Sequence, residues 1–485
     1  MFSRGVASGL ALLASYAVAL TPLALAQFET RSGFPVGKDV APWSLTVGDF
    51  NQDGDLDLAV VTHLRGVGSI DILLGNGDGT FRRGISYGVD VTFSAAAASL
   101  RGNGILDLVV GGANDDVYVL LGNGDGTFQA PVPYPASAES LMVVLGDFTG
   151  HGKIDVLDLE ATSTQGVVCN CVEVLPGNGD GTFGAPIATA VPYDIDGFAM
   201  AAGDFSDDGR LDVAVAGGFG SADQVDILLG NGNGTFSDNG YYEVSAEPGS
   251  VASGPFTANR KDLDLAVANT LGSSLSVLLG NGDGTFQQSV YYDTAFPTCV
   301  VAQDFDGDGK LDLATSNSGV PPQYPPGVSV FNGNGDGTFQ PSTFYPAGEQ
   351  LNYLATGDFN GDGKPDLVLV DLDGEVVITL LNTGVVSFSP TTPMNFKKQP
   401  VGTTSASQTV TLTNTGTTEL KIQSMKASAA FATTSSCGTR VAPGAHCTIS
   451  ATFSPKAKGA NQGTITIIDN ASSKPQVIEL LGTGT

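Results

Sequence analysis

The sequence predicts an all-β protein, a seven-bladed β-propeller followed by a β-sandwich, and three observations point there. One phrase recurs seven times at roughly fifty-residue spacing, which suits about four short strands per unit. Glycine is abundant, at 65 of 485 residues, and charged residues make up only 15%. No heptad or long amphipathic helical period appears, so short strands and tight turns are favoured. Beyond residue 385 the repeat stops and the charge reverses. Residues 1–385 hold 13 Lys+Arg against 47 Asp+Glu, a net −34, whereas residues 386–485 hold 8 against 3, a net +5. A single core seldom grows to this length, so two units are expected.

The chain opens with Arg4 and an apolar run rich in Ala and Leu that ends at Ala24-Leu25-Ala26. This is the pattern of a signal peptide over residues 1–26, too short for a membrane span and closed by small residues suited to cleavage. Export would place the mature chain outside the cytoplasm, secreted or at the cell surface, where disulfides persist and weak calcium sites fill. No later segment has the length and apolarity to cross a bilayer. The acidic body argues against nucleic acid, because phosphate binding rests on Lys and Arg.

The repeated phrase begins Gly48-Asp49-Phe50-Asn51-Gln52-Asp53-Gly54-Asp55-Leu56-Asp57 and recurs at Asp147, Asp204, Asp304 and Asp358, with weaker copies at Ser99 and near Pro255. A second phrase follows, Gly75-Asn76-Gly77-Asp78-Gly79-Thr80-Phe81, with clear copies ending at Phe128, Phe183, Phe236, Phe286 and Phe339. Apolar runs such as Ile70-Asp71-Ile72-Leu73-Leu74 lead into it, and its glycines suit the positive φ of a hairpin turn. The last copy, Leu380 to Phe388, has lost those glycines. Phe28 to Pro35 reads like the strand that follows each hairpin, for example Phe339 to Pro346, and is expected to complete the blade begun near Asp358. The propeller is thus expected over residues 27–385 and the sandwich over 386–485.

Asp49, Asn51, Asp53, Asp55 and Asp57 occupy positions 1, 3, 5, 7 and 9 of a loop with Gly54 at position 6. Oxygen ligands at 1, 3 and 5 can surround one hard cation while position 7 offers its carbonyl, which is calcium chemistry. An EF-hand would continue into a helix with Glu at position 12, but Leu58-Ala59-Val60-Val61 is a strand-type run, so Asp57 must supply the last carboxylate. Three further sets keep the pattern: Asp204/Ser206/Asp208/Arg210/Asp212, Asp304/Asp306/Asp308/Lys310/Asp312 and Asp358/Asn360/Asp362/Lys364/Asp366. The position-7 Arg210, Lys310 and Lys364 would ligate through the backbone with their side chains pointing away. The Asp304 loop, with four carboxylates, is expected to bind tightest. The remaining copies have decayed: Arg101 brings a cation into the ring, His151 replaces the position-5 carboxylate, and the Pro255 copy carries Arg260 and Lys261. Calcium is expected in none of these three.

These phrases resemble the FG-GAP and VCBS-type repeats of integrin α-subunit propellers and many bacterial surface proteins, over about residues 28–388. The resemblance implies a seven-bladed propeller with calcium on one face, held by the four sets named above.

After Val386, alternating segments such as Gln408 to Thr413 and Gly463 to Ile468 read as half-buried strands of a sandwich. Val386-Ser387-Phe388-Ser389-Pro390, Leu412 to Gly416, Phe453-Ser454-Pro455 and Leu481 to Gly484 resemble the ASPM/SPD-2/hydin-like immunoglobulin module. Cys437 and Cys447 flank a Pro443-Gly444-Ala445 turn, where a hairpin disulfide is expected after export, a reduced pair being the alternative. Cys169 and Cys171 are open to either a short disulfide or two free thiols. Cys299, in an apolar run, reads as a buried core thiol.

Nothing in the pattern builds a catalytic site. His63, His151 and His446 fall in unrelated phases of the repeats and the sandwich. The glycine-rich hairpins lack the helix of a phosphate cradle. Tyr134, Tyr193, Tyr241, Tyr242, Tyr291, Tyr292 and Tyr345 recur at one phase of the repeat, which favours packing between blades over sugar stacking. The chain is expected to be a non-catalytic binding or adhesion protein for a glycan or another extracellular or surface protein. A secreted carbohydrate-active lyase or hydrolase and a structural spacer are the competing classes.

Overall fold

The computed structural model describes residues 28–485 except 31–32, 37–39, 65–66, 90, 163–167, 192–196, 218–222, 258–261, 383–385, 390–392, 415–418, 429, 443 and 470–475. The expected signal peptide, Tyr193, Arg260 and Lys261 lie outside the described residues. The regular elements are β-strands, and no described helix is long and apolar enough to cross a membrane.

The first sheet takes Ala41–Gly48, Asp57–Leu64, Val67–Gly75 and Phe81–Gly88 in chain order, each antiparallel to the last. Five more four-stranded sheets follow, opening at Val91–Ala98, Ser140–Gly146, Gly197–Gly203, Pro248–Gly254 and Pro297–Gln303. The seventh begins with Leu351–Gly357, Asp366–Asp371 and Val376–Asn382 and takes its outer edge from the start of the chain. There Phe28–Thr30 runs antiparallel to Leu380, Leu381 and Asn382, and Phe34–Pro35 pairs with Val376 and Val377. The expectation drawn from the likeness between Phe28 to Pro35 and Phe339 to Pro346 is met.

The opening strand of each sheet lies against that of the next, and Leu351–Gly357 returns to Ala41–Gly48. The second strands are apolar because they are covered on both faces; Asp107–Gly112 and Asp212–Gly217 are buried at every residue. Each apolar core is shared by two successive sheets. Phe50, Val61 and Ile72 pack on Leu108 and Leu120, and Val36, Leu45 and Leu58 pack on Phe359 and Val368 to close the circle. The opening strands are the inner edges of their sheets, and the circle leaves those edges short and flanked on both sides by neighbouring opening strands.

The opening strands surround an axial cavity of about 420 Å³ whose lining includes Trp43, Phe93, Met142, Ser250, Thr298 and Asn352. These residues come from the first halves of strands whose last residues feed the Asp-rich loops, so the cavity opens away from those loops. Trp43 lies 5.2 Å from Phe93, which stacks on His63 at 6.1 Å between ring centroids.

Past residue 385 two sheets form a sandwich. One holds Val386–Ser389, Gln408–Asn414, His446–Phe453 and Phe431–Ser435; the other is centred on Gly459–Asp469 and Gln476–Gly484. Phe396, Phe431, Phe453, Ile467 and Leu480 fill the interior. Cys437 and Cys447 are joined by a disulfide, as expected.

Candidate metal-binding loops

Each Asp-rich loop leaves the opening strand of a sheet and enters the second, so the ladder fixes both ends and the turn must close within a few residues. The glycine at position 6 allows this: Gly54, Gly209, Gly309 and Gly363 all have positive φ, between 81° and 93°. The position-1 carboxylates turn inward. Asp49 accepts the N–H groups of Asp53 at 3.2 Å and Gly54 at 3.0 Å. Asp304 accepts those of Gly307, Asp308 and Gly309 at 2.8–3.1 Å, and Asp204 and Asp358 behave alike. At position 3, Asn51 and Asn360 accept from the position-5 N–H, and Ser206 lies beside Asp212, to whose carboxylate its own N–H donates.

The position-9 aspartates are buried. One oxygen of Asp57 accepts the Phe50 N–H at 2.9 Å and the other that of Gly75 at 2.8 Å, tying the loop to the next hairpin. Asp212, Asp312 and Asp366 make the corresponding pair of bonds, and so do Asp107, Asp155 and Asp264 in the three loops expected to lack calcium. This stapling duty was missed from the sequence, although its signal was there: Asp107, Asp155 and Asp264 persist in loops where other ligand positions have changed. Burial pushes the Asp312 and Asp366 carboxyls up to about 7 and that of Asp57 up to about 6, against the pull of their backbone donors. Asp212 is raised for the same reason.

In the Asp304 loop, oxygens of Asp304, Asp306 and Asp312 come within 4.8 Å of one another. The other three expected sets bring no three acidic groups so close and rely on Asn51, Ser206 and Asn360 at position 3. An all-oxygen donor set with a buried carboxylate at its base fits a hard divalent cation. One expectation is corrected here. The side chains of Arg210, Lys310 and Lys364 do not point away but lean onto the position-5 carboxylates, Lys310 Nζ at 2.7 Å from Asp308, Arg210 at 2.9 Å from Asp208 and Lys364 at 3.8 Å from Asp362. The reason is electrostatic: a position-5 carboxylate in an acidic loop attracts the nearest ammonium or guanidinium group. In the Ser99 loop, Arg101 itself fills the ring, gripping Asp107 at 2.5 and 3.2 Å and donating to the Gly122 carbonyl at 2.6 Å.

The hairpins clasp sheet to sheet. The N–H groups of Gly79, Gly126, Gly234, Gly284 and Gly337 donate to the carbonyls of Phe359, Phe50, Phe148, Phe205 and Phe256 in the preceding loop at 2.8–3.2 Å. The hairpin aspartate is occupied by its own turn, Asp78 accepting from Thr80 N and Oγ1. Four of the tyrosines pack between sheets, as favoured from their phase, but Tyr241 and Tyr291, one residue earlier on the same strands, do not: Tyr242 and Tyr292 accept the N–H of Phe286 and Phe339 and meet those rings edge-on, as Tyr134 meets Phe183 and Tyr345 meets Phe28. Tyr241 and Tyr291 are exposed. Cys299 is a buried free thiol, and Cys171 is disulfide-bonded while the side chain of Cys169 lies outside the described residues.

Antiparallel sheets joined in a circle, each feeding an Asp-rich loop from its inner strand, define a propeller-type repeat protein. Residues 49–110, 100–157, 258–315 and 304–369 match the FG-GAP-like repeat, and residues 383–477 match the ASH domain of ASPM, SPD-2 and hydin. The chain therefore carries four recognisable FG-GAP-like repeats followed by an ASH domain. No curated protein matches it in sequence. Among solved structures, BBS1N from its complex with ARL6DN is similar in fold, with a TM-score of 0.51 at 12% identity over 73% of this chain and 96% of that one. The V. cholerae biofilm matrix protein Bap1 gives 0.41 at 12% identity, covering 74% of this chain and 91% of that one. The ASH/PapD-like domain 7 of human CEP192 gives 0.18 at 16% identity, covering 21% and 85%. Neither of these two likenesses is close enough to carry weight.

Proposed function

We propose that this chain is an exported, calcium-loaded, seven-bladed propeller with an immunoglobulin-like module at its C-terminus, acting as a non-catalytic binding or adhesion protein for a glycan or a surface protein. In this reading residues 1–26 are the signal peptide, 27–385 the propeller and 386–485 the sandwich. The observation that carries it is the convergence of Asp304, Asp306 and Asp312 on a loop whose backbone already holds the carboxylates inward. Asp49, Asn51, Asp53 and Asp57 with the Asp55 carbonyl, and the matching sets with the carbonyls of Arg210, Lys310 and Lys364, would hold the ion. When bound, calcium neutralises each acidic loop and cross-links strand to loop. The position-7 cations would then release the position-5 carboxylates to the ion. The hairpin carboxylates are committed to backbone donors, which supports scaffolding over chemistry. The axial cavity, with Trp43 against Phe93, suits the apolar face of a sugar ring.

Calorimetric titration of the purified, chelator-treated chain with calcium tests the metal half: about four equivalents are expected, and no heat would sink it. Polysaccharide arrays with and without EDTA test the rest. Calcium-dependent retention supports a binder and loss of it in Trp43→Ala places the seat, whereas cleavage of the sugar would select an enzyme and neither outcome a spacer.

A further inference from the structure

The third loop, Asp147-Phe148-Thr149-Gly150-His151-Gly152-Lys153-Ile154-Asp155, has the backbone of the calcium-type loops and their first and last carboxylates, but not the position-5 carboxylate. Asp147 accepts the His151 N–H at 3.0 Å and that of Gly152 at 2.8 Å, the same pair of bonds that Asp204 and Asp358 make. Into this frame position 5 brings an imidazole. His151 Nδ1 lies 3.5 Å from Asp147 Oδ1 and Nε2 3.5 Å from Asp155 Oδ1, and one ligand atom from each of the three residues falls within 4.8 Å of the others.

Two further observations separate this cluster from a decayed calcium loop. The position-7 cation is absent from it: Lys153 Nζ donates to the Asn178 carbonyl at 2.6 Å, whereas Lys310 and Arg210 sit on the carboxylates of their own loops. Asp155 is also rigidly aimed. Its Oδ2 accepts from Phe148 N, Thr149 N and Thr149 Oγ1, while Oδ1 takes a single N–H, that of Gly177, and faces the imidazole. His151 is partly exposed, so an ion can enter from solvent.

We propose that Asp147, His151 and Asp155 form a site for a divalent transition metal of the zinc class, distinct in selectivity from the oxygen-only loops. Replacing one carboxylate by imidazole removes an oxygen from a cation that demands six to eight and supplies the nitrogen that zinc and cobalt prefer. Three protein ligands leave a fourth position for water. The site shares its loop geometry with the calcium reading but does not depend on calcium filling the other loops.

The test uses the full chain, stripped of metal and then saturated with calcium so that the oxygen loops are occupied. Cobalt(II) is titrated and followed by its visible d–d absorption, with zinc added in competition. One equivalent of cobalt with a nitrogen-ligated spectrum, displaced by zinc, is expected. His151→Ala should weaken binding at least about tenfold and lose the spectrum with an unchanged melting curve in calcium. Asp312→Asn should lose a calcium and keep the cobalt spectrum. Absence of cobalt binding in the calcium-saturated chain, or an identical spectrum in His151→Ala, would overturn the proposal. Failure of calcium to bind at all would strike the calcium reading and leave the cobalt result to be judged on its own.

Discussion

At position 9 of every loop a buried carboxylate faces two backbone N–H groups, whether or not the rest of the loop can hold an ion. The staple and the ligand are therefore separable by mutation. Asp264→Asn, in a loop that has lost its other ligands, turns an amide donor toward Phe256 N or Gly280 N and should cost about 1.5–3 kcal/mol in denaturant unfolding while calcium stoichiometry stays unchanged. Asp312→Asn should cost a similar amount and lose one calcium as well. A second residue-scale prediction concerns the third sheet. Glu160 and Glu173 both accept the Ser137 N–H, at 2.8 and 3.1 Å, beside the buried Asp158. Burial first, then a hydrogen bond to Glu173 and repulsion from Glu173 and Asp158, hold the Glu160 carboxyl well above its ordinary 4.5. The folded chain thus keeps a proton that the unfolded chain releases, so the associated stability is complete below about pH 4.5 and declines as pH rises above it. Glu160→Gln should raise the melting temperature in calcium at pH 8 by about 2 °C or more and leave it nearly unchanged at pH 5; an equal shift at both values would refute this.

At the scale of elements, the strand Phe28–Thr30 does for the seventh sheet what the strand after each hairpin does elsewhere. Phe28 packs edge-on against Phe305 at 5.7 Å and Tyr345 at 5.3 Å, as Phe339 packs on Phe256 and Tyr292. Asn382 replaces the missing hairpin glycines: its N–H donates to Asp366 and its side chain to the Phe305 carbonyl. Phe28→Ala should cost about 3–5 kcal/mol, and deletion of residues 28–36 more; an unchanged thermal melt would reject closure by this strand. Repetition made the strand phases, the hairpins, the late glycine loss and the role of Phe28 readable, since each copy checks the next. What stayed hidden has no local signature. The axial cavity is assembled from strands far apart in the chain. Glu160 and Glu173 look like ordinary strand residues until the Ser137 N–H turns toward them. The lean of Lys310 onto Asp308 depends on a field that spacing alone does not report.

For the whole molecule the governing quantity is the net −34 carried by residues 1–385. Much of that charge is gathered in loops repeated around one face, so self-repulsion should weaken the metal-free form and added salt should relieve it. The melting temperature in EDTA should rise by about 5 °C between 10 and 500 mM NaCl, and by clearly less in calcium. Each loop filled at a hundredfold over its Kd adds about 2.7 kcal/mol, so chelation should lower the melting temperature by about 10 °C or more. A salt response unaffected by calcium would mean that the ion does not neutralise these loops.

The pairing of Phe28 with Asn382 also bears on how the chain comes into being. During synthesis the strand Phe28–Thr30 emerges long before Leu380, Leu381 and Asn382, with which it pairs, so nearly the entire repeat must appear before that pairing can form. Six sheets can assemble as they appear, but the seventh is sealed by a strand made before any of them, so shutting of the ring falls late in assembly, once Asn382 has emerged and while the sandwich is still being made.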